Sequence, residues 1–139
     1  MNYLLDTCVI SELSKPKPNS KVVSWITSKE EDNFYLSSIT IGEIQRGIFK
    51  LPASEKKLRL QEWLDVDLTN RFSGRILGIG LDESKKWGEI QAIAEKSGIK
   101  MPLFDSLIAA IGLVHGMAVV TRNEDDMKAS SVSIINPWI

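Results

Sequence analysis

Short apolar runs that alternate with longer, partly charged stretches constrain the fold of this chain more than any other feature. Residues 3–5, 34–36 and 117–121 are apolar runs of strand length, and residues 132–135 form the last one. Between the runs, apolar residues recur at the spacing of one face of a helix. Because strands that alternate with helices favour an α/β fold, the sequence predicts three α/β/α layers around a mainly parallel central sheet.

The helical spacing also gives approximate positions for the helices. They are predicted at about residues 22–30, 58–64, 87–97 and 105–115, and Gly116 is a natural stop for the last one. A further helix should carry Glu43 in its first turns, with Ser38 or Thr40 as its cap. Residues 74–80 contain three glycines but lack the pattern of a dinucleotide fingerprint, so we predict a loop and helix connection there.

Composition excludes several classes of site. With 139 residues, 43% of them apolar, the chain is large enough to bury one core, and we expect a single domain over residues 1–139. Its one cysteine, Cys8, and its one histidine, His115, exclude a structural zinc set and a pair of catalytic histidines. We expect Cys8 to be a small buried side chain and His115 to close its helix. No run is long enough to cross a membrane and no signal pattern opens the chain, so we expect a cytoplasmic protein.

Carboxylates are therefore the main chemical resource of the chain. Four of them stand where an apolar run gives way to a helix or a loop: Asp6, Glu43, Asp105 and Asp126. Because the carboxyl ends of parallel strands line one crevice, we expect these acids to converge. Carboxylates gathered in one cleft repel unless a cation compensates them, and a hard divalent ion such as Mg²⁺ or Mn²⁺ suits oxygen ligands. Such an ion activates water against a phosphodiester, which makes hydrolysis of a nucleic-acid backbone the leading hypothesis.

Each acid also has an ordinary structural interpretation. Asp6 and Asp105 stand where a carboxylate caps the free amides of a helix. Glu43 suits a solvated helix face, because glutamate has a good helix propensity. Asp125 and Asp126 belong to an acidic run that is typical of an exposed loop. Spacing alone leaves both interpretations open.

Whole motifs carry a resemblance to a known family. Residues 4–13 (LLDTCVISEL) and 38–48 (SITIGEIQRGI) closely resemble the PIN-domain toxins of bacterial VapBC modules, especially their FitB-like branch. Further segments match that branch in the same order: residues 72–77 (FSGRIL), 87–88 (WG), 102–110 (PLFDSLIAA), 121–123 (TRN) and 136–138 (NPW). The resemblance covers essentially the entire chain.

The resemblance implies roles for particular residues. Asp6, Glu43 and Asp105 correspond to the metal-binding and catalytic acids of the family, with Mg²⁺ or Mn²⁺ as the cofactor. The loop after Thr-Arg-Asn supplies a fourth acid, for which we favour Asp126 over Asp125, although Met127 replaces the usual aromatic residue. Three polar residues are expected to orient these acids or their bound water: Thr7, Thr121 and Asn123.

The resemblance also implies an activity and partners. Members of the family are endoribonucleases that arrest growth when free and are neutralised by a small VapB-like antitoxin, so we expect an RNA substrate, such as tRNA or rRNA, and a homodimer. The net charge of −1 and the pI of about 5.9 are unlike those of a general nucleic-acid binder, so contacts with phosphates must be local. Candidates for those contacts are Lys15, Lys17, Lys21, Arg46, Lys50 and Arg75.

Two other functions are compatible with the residues. One is a protein-binding module whose acidic pocket receives an arginine of a partner. An apolar groove for such a partner, or a homodimer contact, would draw on the large apolar residues Trp25, Phe49, Leu51 and Trp63. An α/β phosphatase of the haloacid type would use Asp6 as its nucleophile, but it would need a second aspartate where this chain has Cys8.

Overall fold

A five-stranded parallel sheet forms the centre of the molecule. The computed structural model describes all 139 residues, and its strands are β1 (Tyr3–Leu5), β2 (Phe34–Ser37), β3 (Ile76–Leu77), β4 (Ala118–Val120) and β5 (Ile134–Ile135). The strand order is β3-β2-β1-β4-β5, and every neighbouring pair is parallel. The parallel sheet predicted from the alternating runs is confirmed.

Helices cover both faces of the sheet. They are α1 (Thr7–Leu13), α2 (Ser20–Thr27), α3 (Ser38–Phe49), α4 (Glu55–Glu62), α5 (Thr69–Arg71), α6 (Leu81–Lys96), α7 (Leu103–His115) and α8 (Glu124–Met127). A π-helical segment, Trp63–Leu68, joins α4 to α5. None of these helices has both the length and the apolar character that crossing a membrane would require.

The alternation of side chains along the strands explains the three layers. Leu4 and Val119 face a core that includes residues of α6 and α7, whereas Tyr3, Leu5 and Val120 face a second core on the side of α1 to α4. Because both faces of these strands are buried, their sequences are continuously apolar instead of alternating with polar residues. The three-layer α/β/α architecture follows from this double burial.

Three details of the predicted elements are corrected by the structure. Residues 74–80 are not merely a loop and helix connection, because they contain β3, whose Ile76 is in register with Leu36 of β2. Helix α7 begins at Leu103, two residues before Asp105, so Asp105 lies inside the first turn and does not cap the helix. The cap of α3 is Ser37, whose hydroxyl accepts a hydrogen bond from the backbone N–H of Thr40.

The topology produces a crevice between two neighbouring strands. From β1 the chain builds the sheet outward through β2 and β3, and it then returns to place β4 on the opposite side of β1. The carboxyl ends of β1 and β4 therefore lie at the point where the strand order reverses, which is where open α/β sheets form binding crevices. The backbone N–H of Asp6 donates to the carbonyl of Val120 across this point, at 3.0 Å.

Close packing at Gly112 provides a test of the α7 layer. A Cβ at this position would lie 3.0 Å from a methyl group of Val119 and 3.1 Å from one of Val132. We expect Gly112→Ala to lower the free energy of unfolding by about 1–3 kcal/mol, because the core must move to admit the methyl group. Gly88→Ala, in the exposed middle of α6 where a Cβ meets nothing within 4 Å, should instead stabilise by up to about 1 kcal/mol. Urea unfolding of both variants measures the contrast, and equal effects would contradict it.

Candidate active site

Asp6 is the buried centre of the acidic crevice. It is 3% exposed and follows β1, where its Oδ1 accepts a hydrogen bond of 2.8 Å from the backbone N–H of Thr7 and so caps α1. Its Oδ2 accepts a second hydrogen bond, of 2.7 Å, from the hydroxyl of Thr121 at the end of β4. That hydroxyl accepts a hydrogen bond from the backbone N–H of Asn123 at 2.9 Å. One oxygen of Asp6 thus caps α1, and the other is held by Thr121 at the crevice.

Glu43 is brought to the crevice by α3. Its Oε1 accepts a hydrogen bond of 2.6 Å from the hydroxyl of Thr7, which also lies 3.0 Å from the hydroxyl of Thr40. Thr40 is buried and its hydroxyl contacts that of Ser37, the cap of α3. A chain of hydroxyl groups therefore fixes Glu43 relative to the first turn of α1.

Asp105 approaches from the first turn of α7 and receives no hydrogen bond or salt bridge from the protein. Burial, and after it the negative charges of Asp6, Asp126 and Glu43, together raise the pKa of its carboxyl to about 6. Burial also raises the pKa of Asp6, against the hydrogen bonds from Thr121 and Thr7 that lower it. The four predicted acids are therefore close enough to influence one another electrostatically.

The two candidates for the fourth acid point in different directions. The side chain of Asp125 is 93% exposed and pairs with Lys128 at 3.2 Å. Asp126 is also exposed, but it contributes to the raised pKa of Asp105, whereas Asp125 does not. Both lie in the short helix α8 and not in a loop. This geometry favours Asp126.

Polar side chains surround a cavity of about 340 Å³ at the crevice. Its lining residues are Asp6, Thr7, Cys8, Ser11, Glu12, Lys15, Glu43, Asp105, Arg122 and Asn123. The two cations in this set have partners outside the four acids: Lys15 pairs with Glu12 at 3.0 Å, and Arg122 lies 5.0 Å from the ring of Trp138. Of the four acids, Asp126 lies outside this lining, and none of the four forms a salt bridge with a basic side chain.

The residues fit a hard divalent cation by the chemistry of their donors. All four acids offer oxygen, and Asp105 and Asp126 have no protein partner to give up on binding an ion. As they stand, no three of the carboxylates are arranged closely enough to enclose an ion. Binding would require rotation of side chains, which is easiest for the unbonded carboxylates of Asp105 and Asp126.

The predicted phosphate contacts are only partly supported by their positions. Lys15 lines the cavity, whereas Arg46 on α3 and Lys50 at the C-terminal cap of α3 are exposed outside it. Arg75 must be corrected: its guanidinium donates to the backbone carbonyls of Glu31, Phe34 and Arg71 and stacks on Phe72. Arg75 therefore ties β3 to the neighbouring segments, and three of its N–H donations are used within the protein.

An apolar groove adjoins the acidic cavity. It consists of two connected depressions of about 290 and 320 Å³, which share Ile10, Ser14, Leu60 and Trp63. Of the four large residues predicted for a groove, Trp63 and Leu51 line it. Trp25 instead packs edge-on against Tyr3 in the core, and Phe49, 74% exposed, lies outside it. Thr7, Ser11 and Glu43 line both the groove and the acidic cavity.

Several residues of the site did not stand out in the sequence. Cys8 is half-buried at the cavity and not simply part of the core, and its Sγ lies 3.8 Å from Oδ2 of Asp6. Burial and the charge of Asp6 raise the pKa of this thiol, which argues against a catalytic thiolate. Arg122 belongs to the Thr-Arg-Asn motif, but nothing in the sequence distinguishes its charge from those of the other basic residues. Glu12 lies in a helix, where glutamate is common.

His115 ends α7 as predicted, and Gly116 follows it with a left-handed backbone (φ 65°). The imidazole Nε2 of His115 lies 3.8 Å from a carboxylate oxygen of Glu83 on α6. This places the only histidine at the far end of α7 from Asp105. It therefore belongs to the helix terminus and not to the acidic site.

Comparisons with known proteins agree along nearly the whole chain. The family model described as PIN domain matches residues 3–130. The VapC ribonuclease Y4jK of Sinorhizobium fredii is 36% identical over 135 residues, which cover 97% of this chain and 96% of the relative. Toxin FitB of Neisseria gonorrhoeae is also 36% identical, over 97% of both chains. The crystal structure of FitAcB from Neisseria gonorrhoeae superimposes with a TM-score of 0.93 at 36% identity, over 98% of each chain.

The raised pKa of Asp105 predicts a pH-dependent stability. Its folded-state pKa of about 6 lies above its ordinary value of 3.8, so the folded state prefers the protonated form. Stability is therefore lost as the pH rises from about 4 through 6. Asp105→Asn removes this loss, and in EDTA at pH 8 we expect its Tm to exceed that of the wild type by about 2–5 °C, a modest value because the half-exposed group is screened by solvent.

The pH series is the control for this prediction. At pH 4 most of the difference in Tm should disappear, because the wild-type carboxyl is then neutral in the folded state and about half neutral in the unfolded state, where its pKa is 3.8. Thermal unfolding followed by circular dichroism measures both points. A variant that is no more stable than the wild type at pH 8 would contradict the charge repulsion described here.

Proposed function

The chain belongs to the PIN domain family, and from this premise we propose that it is a divalent-metal-dependent endoribonuclease, the toxin of a type II toxin–antitoxin pair. The observation that carries the proposal is the uncompensated charge of Asp6, Glu43, Asp105 and Asp126 at one crevice. The names of its relatives, a VapC ribonuclease and a FitB toxin, support the same activity. A cytoplasmic location is part of the proposal, since RNA substrates such as tRNA or rRNA occur there.

The protein's own groups would hold and orient the reacting centre. Thr121 and the backbone N–H of Thr7 direct the two oxygens of Asp6, and the hydroxyl of Thr7 directs Glu43. These contacts restrict the rotation of two acids before a substrate binds, which lowers the cost of organising the site. Asp105 and Asp126 remain free to turn toward an ion.

Asp6, Glu43, Asp105 and Asp126 would together hold Mg²⁺ or Mn²⁺. Such an ion, when bound, lowers the pKa of water and stabilises negative charge on the departing oxygen of a phosphodiester. The role of the acids is then to bind and position, and none of them needs to form a covalent bond with the substrate. Cys8 occupies the position where a haloacid-type phosphatase would need its second aspartate, so this alternative receives no support from the site.

Cleavage assays test the proposal directly. We expect the purified protein to cut structured RNAs with Mg²⁺ or Mn²⁺ and to stop when EDTA removes the ion. Asp6→Asn should lower the cleavage rate at least about a hundredfold, because the oriented ligand at the centre of the site is lost. Asp126→Asn should lower it at least about tenfold.

Asp125→Asn is the matched control, since Asp125 points to solvent beside Asp126. It should cut RNA within about twofold of the wild type, as an exposed substitution away from the acids. Circular dichroism must show that every variant is folded. Full metal-dependent activity in folded Asp6→Asn, or greater loss in Asp125→Asn than in Asp126→Asn, would refute the assignment.

We also propose that a small antitoxin binds the apolar groove beside the acids. The groove is lined by Ile10, Leu60 and Trp63 and shares Thr7 and Glu43 with the acidic cavity. An apolar partner segment in the groove would therefore end beside carboxylates, where its arginine would find an acceptor. Solved structures similar to this chain include that of FitAcB and that of FitAB bound to a DNA fragment, which supports a second component for this chain. The protein-binding alternative thus becomes a second role of the same surface.

Gly47 offers a way to close the groove without disturbing the core. It lines the groove, and a Cβ there meets nothing within 4 Å. We expect Gly47→Gln to weaken binding of a co-expressed antitoxin encoded beside this chain by at least about tenfold, because the side chain fills the space of the partner. Gly88→Gln on α6 is the control and should bind normally. Calorimetry measures both affinities, and unchanged binding by Gly47→Gln would place the partner elsewhere.

A homodimer remains part of the proposal. Helices α6 and α7 expose large apolar side chains that a second copy would cover: Leu81, Ile93, Leu103 and Phe104. Large apolar side chains that are exposed on neighbouring helices mark a surface suited to an interface between proteins. Sedimentation of the purified chain gives its oligomeric state independently of cleavage.

A further inference from the structure

Each of the two basic side chains at the acidic cavity is held by a residue other than the four acids. Lys15 and Arg122 both line it, and each contacts a group outside the four acids. We propose that Lys15 and Arg122 bind phosphates of the RNA backbone on either side of the acids, and that Glu12 is a positioning residue that keeps Lys15 away from those acids. This inference rests on the proposed ribonuclease function and adds to it the groups that bind the substrate.

Glu12 holds Lys15 from a buried position. The carboxylate of Glu12 is 7% exposed, and its Oε1 accepts a hydrogen bond of 3.0 Å from Nζ of Lys15. Its Oε2 accepts a second, also of 3.0 Å, from the backbone N–H of Asn19. The side chain of Lys15 remains 57% exposed, so its ammonium keeps hydrogens that can reach a phosphate.

Trp138 supports Arg122 in a similar way. The guanidinium lies over the indole ring at 5.0 Å, a distance typical of a cation–π contact. The backbone N–H of Trp138 donates to Asn136 Oδ1 at 3.0 Å, and its ring packs against the core that contains β1. A guanidinium stacked on one face keeps its edge N–H groups free, and these bind phosphate with two parallel hydrogen bonds.

Charge explains why such partners are needed. A lysine or arginine at the border of an acidic cavity would otherwise pair with the nearest carboxylate and oppose the binding of a divalent ion. No salt bridge joins Lys15 or Arg122 to any of the four acids. Since the whole chain has a net charge of −1, a few cations held at the site must supply its attraction for RNA.

Binding of RNA without cleavage tests the two cations. The probe is a fluorescein-labelled single-stranded RNA in EDTA, and its anisotropy is measured over a series of salt concentrations. Lys15→Gln and Arg122→Gln should each weaken binding roughly tenfold at low salt, as loss of a charge-assisted contact implies. Each should also reduce the slope of log K against log salt by about 0.7. Lys56→Gln and Lys85→Gln, which change exposed cations outside the cavity lining, should stay within about twofold.

A double-mutant cycle tests the role of Glu12. Calorimetry with Mn²⁺ alone measures ion affinity without RNA. Glu12→Gln should weaken Mn²⁺ binding about three- to tenfold, because released Lys15 moves to the acids. In the Lys15→Gln background the same substitution should have little effect. An equal effect in both backgrounds would show that Glu12 acts only through its charge and would overturn its positioning role.

The outcomes separate this inference from the proposed function. RNA binding that depends on Lys15 and Arg122 in a protein that neither binds Mn²⁺ nor cuts RNA would support the two phosphate contacts and refute the metal-dependent nuclease. Cleavage with unchanged RNA affinity and unchanged salt slope in both variants would do the reverse. Absence of RNA binding by the folded wild type, even at low salt, would overturn the phosphate contacts.

Discussion

The hydrogen bond between Asp6 and Thr121 is the contact on which the rest of the site depends. It joins the carboxyl ends of β1 and β4, the two central strands between which the strand order reverses. The hydroxyl of Thr121 has one hydrogen to donate, and its acceptor side is occupied by the backbone N–H of Asn123. The direction of the carboxylate is therefore determined by backbone positions, and the other acids meet it from α3 and α7.

The arrangement of the acids opposes folding and favours binding. Asp6 and Asp105 both have raised pKa values because burial disfavours their ionised forms, and neighbouring negative charges raise the pKa of Asp105 further. A site optimised for stability alone would place a basic side chain among them, yet Lys15 and Arg122 contact other groups. The two apolar cores on either face of the sheet offset this repulsion. Such a loss of stability at a functional site is expected where binding of a cation restores the balance.

The central strands and the acids could be predicted from the sequence because each has a strong local signal. Burial on both faces makes β1, β2 and β4 continuously apolar, and Asp6 interrupts such a run at the crevice. Strand β3 gave no such signal, since its two residues are only half-buried at the edge of the sheet. For Arg75 the sequence supplied the charge but not the direction of the guanidinium, which three backbone carbonyls determine. Tertiary contacts, which the composition does not reveal, determine the position of β3 and the direction of the Arg75 guanidinium.

The sequence also could not decide between Asp125 and Asp126, because the two differ in position by only one residue. Consecutive positions of a helix point about 100° apart, so the side chains of Asp125 and Asp126 leave α8 in different directions although they are neighbours in the sequence. Sequence reasoning places element boundaries within a few residues, which is too coarse to separate such neighbours. The family motif narrowed the choice to this acidic run. Asp126 is favoured because its charge acts on Asp105, whereas Asp125 pairs with Lys128.

Glu43 lines both the acidic cavity and the apolar groove, so it would connect the proposed substrate chemistry with the proposed binding of a partner. A partner's arginine that arrived through the groove would compensate part of the same negative charge that a divalent ion compensates. The partner and the ion would then compete for the carboxylate of Glu43 as well as for the space around it. Lys15 and Arg122 lie outside the groove lining, so the contacts proposed for RNA phosphates and those proposed for the partner use different residues around one set of acids. A partner whose arginine compensated the charge of Glu43 would therefore inhibit the site without any change in the fold of the sheet.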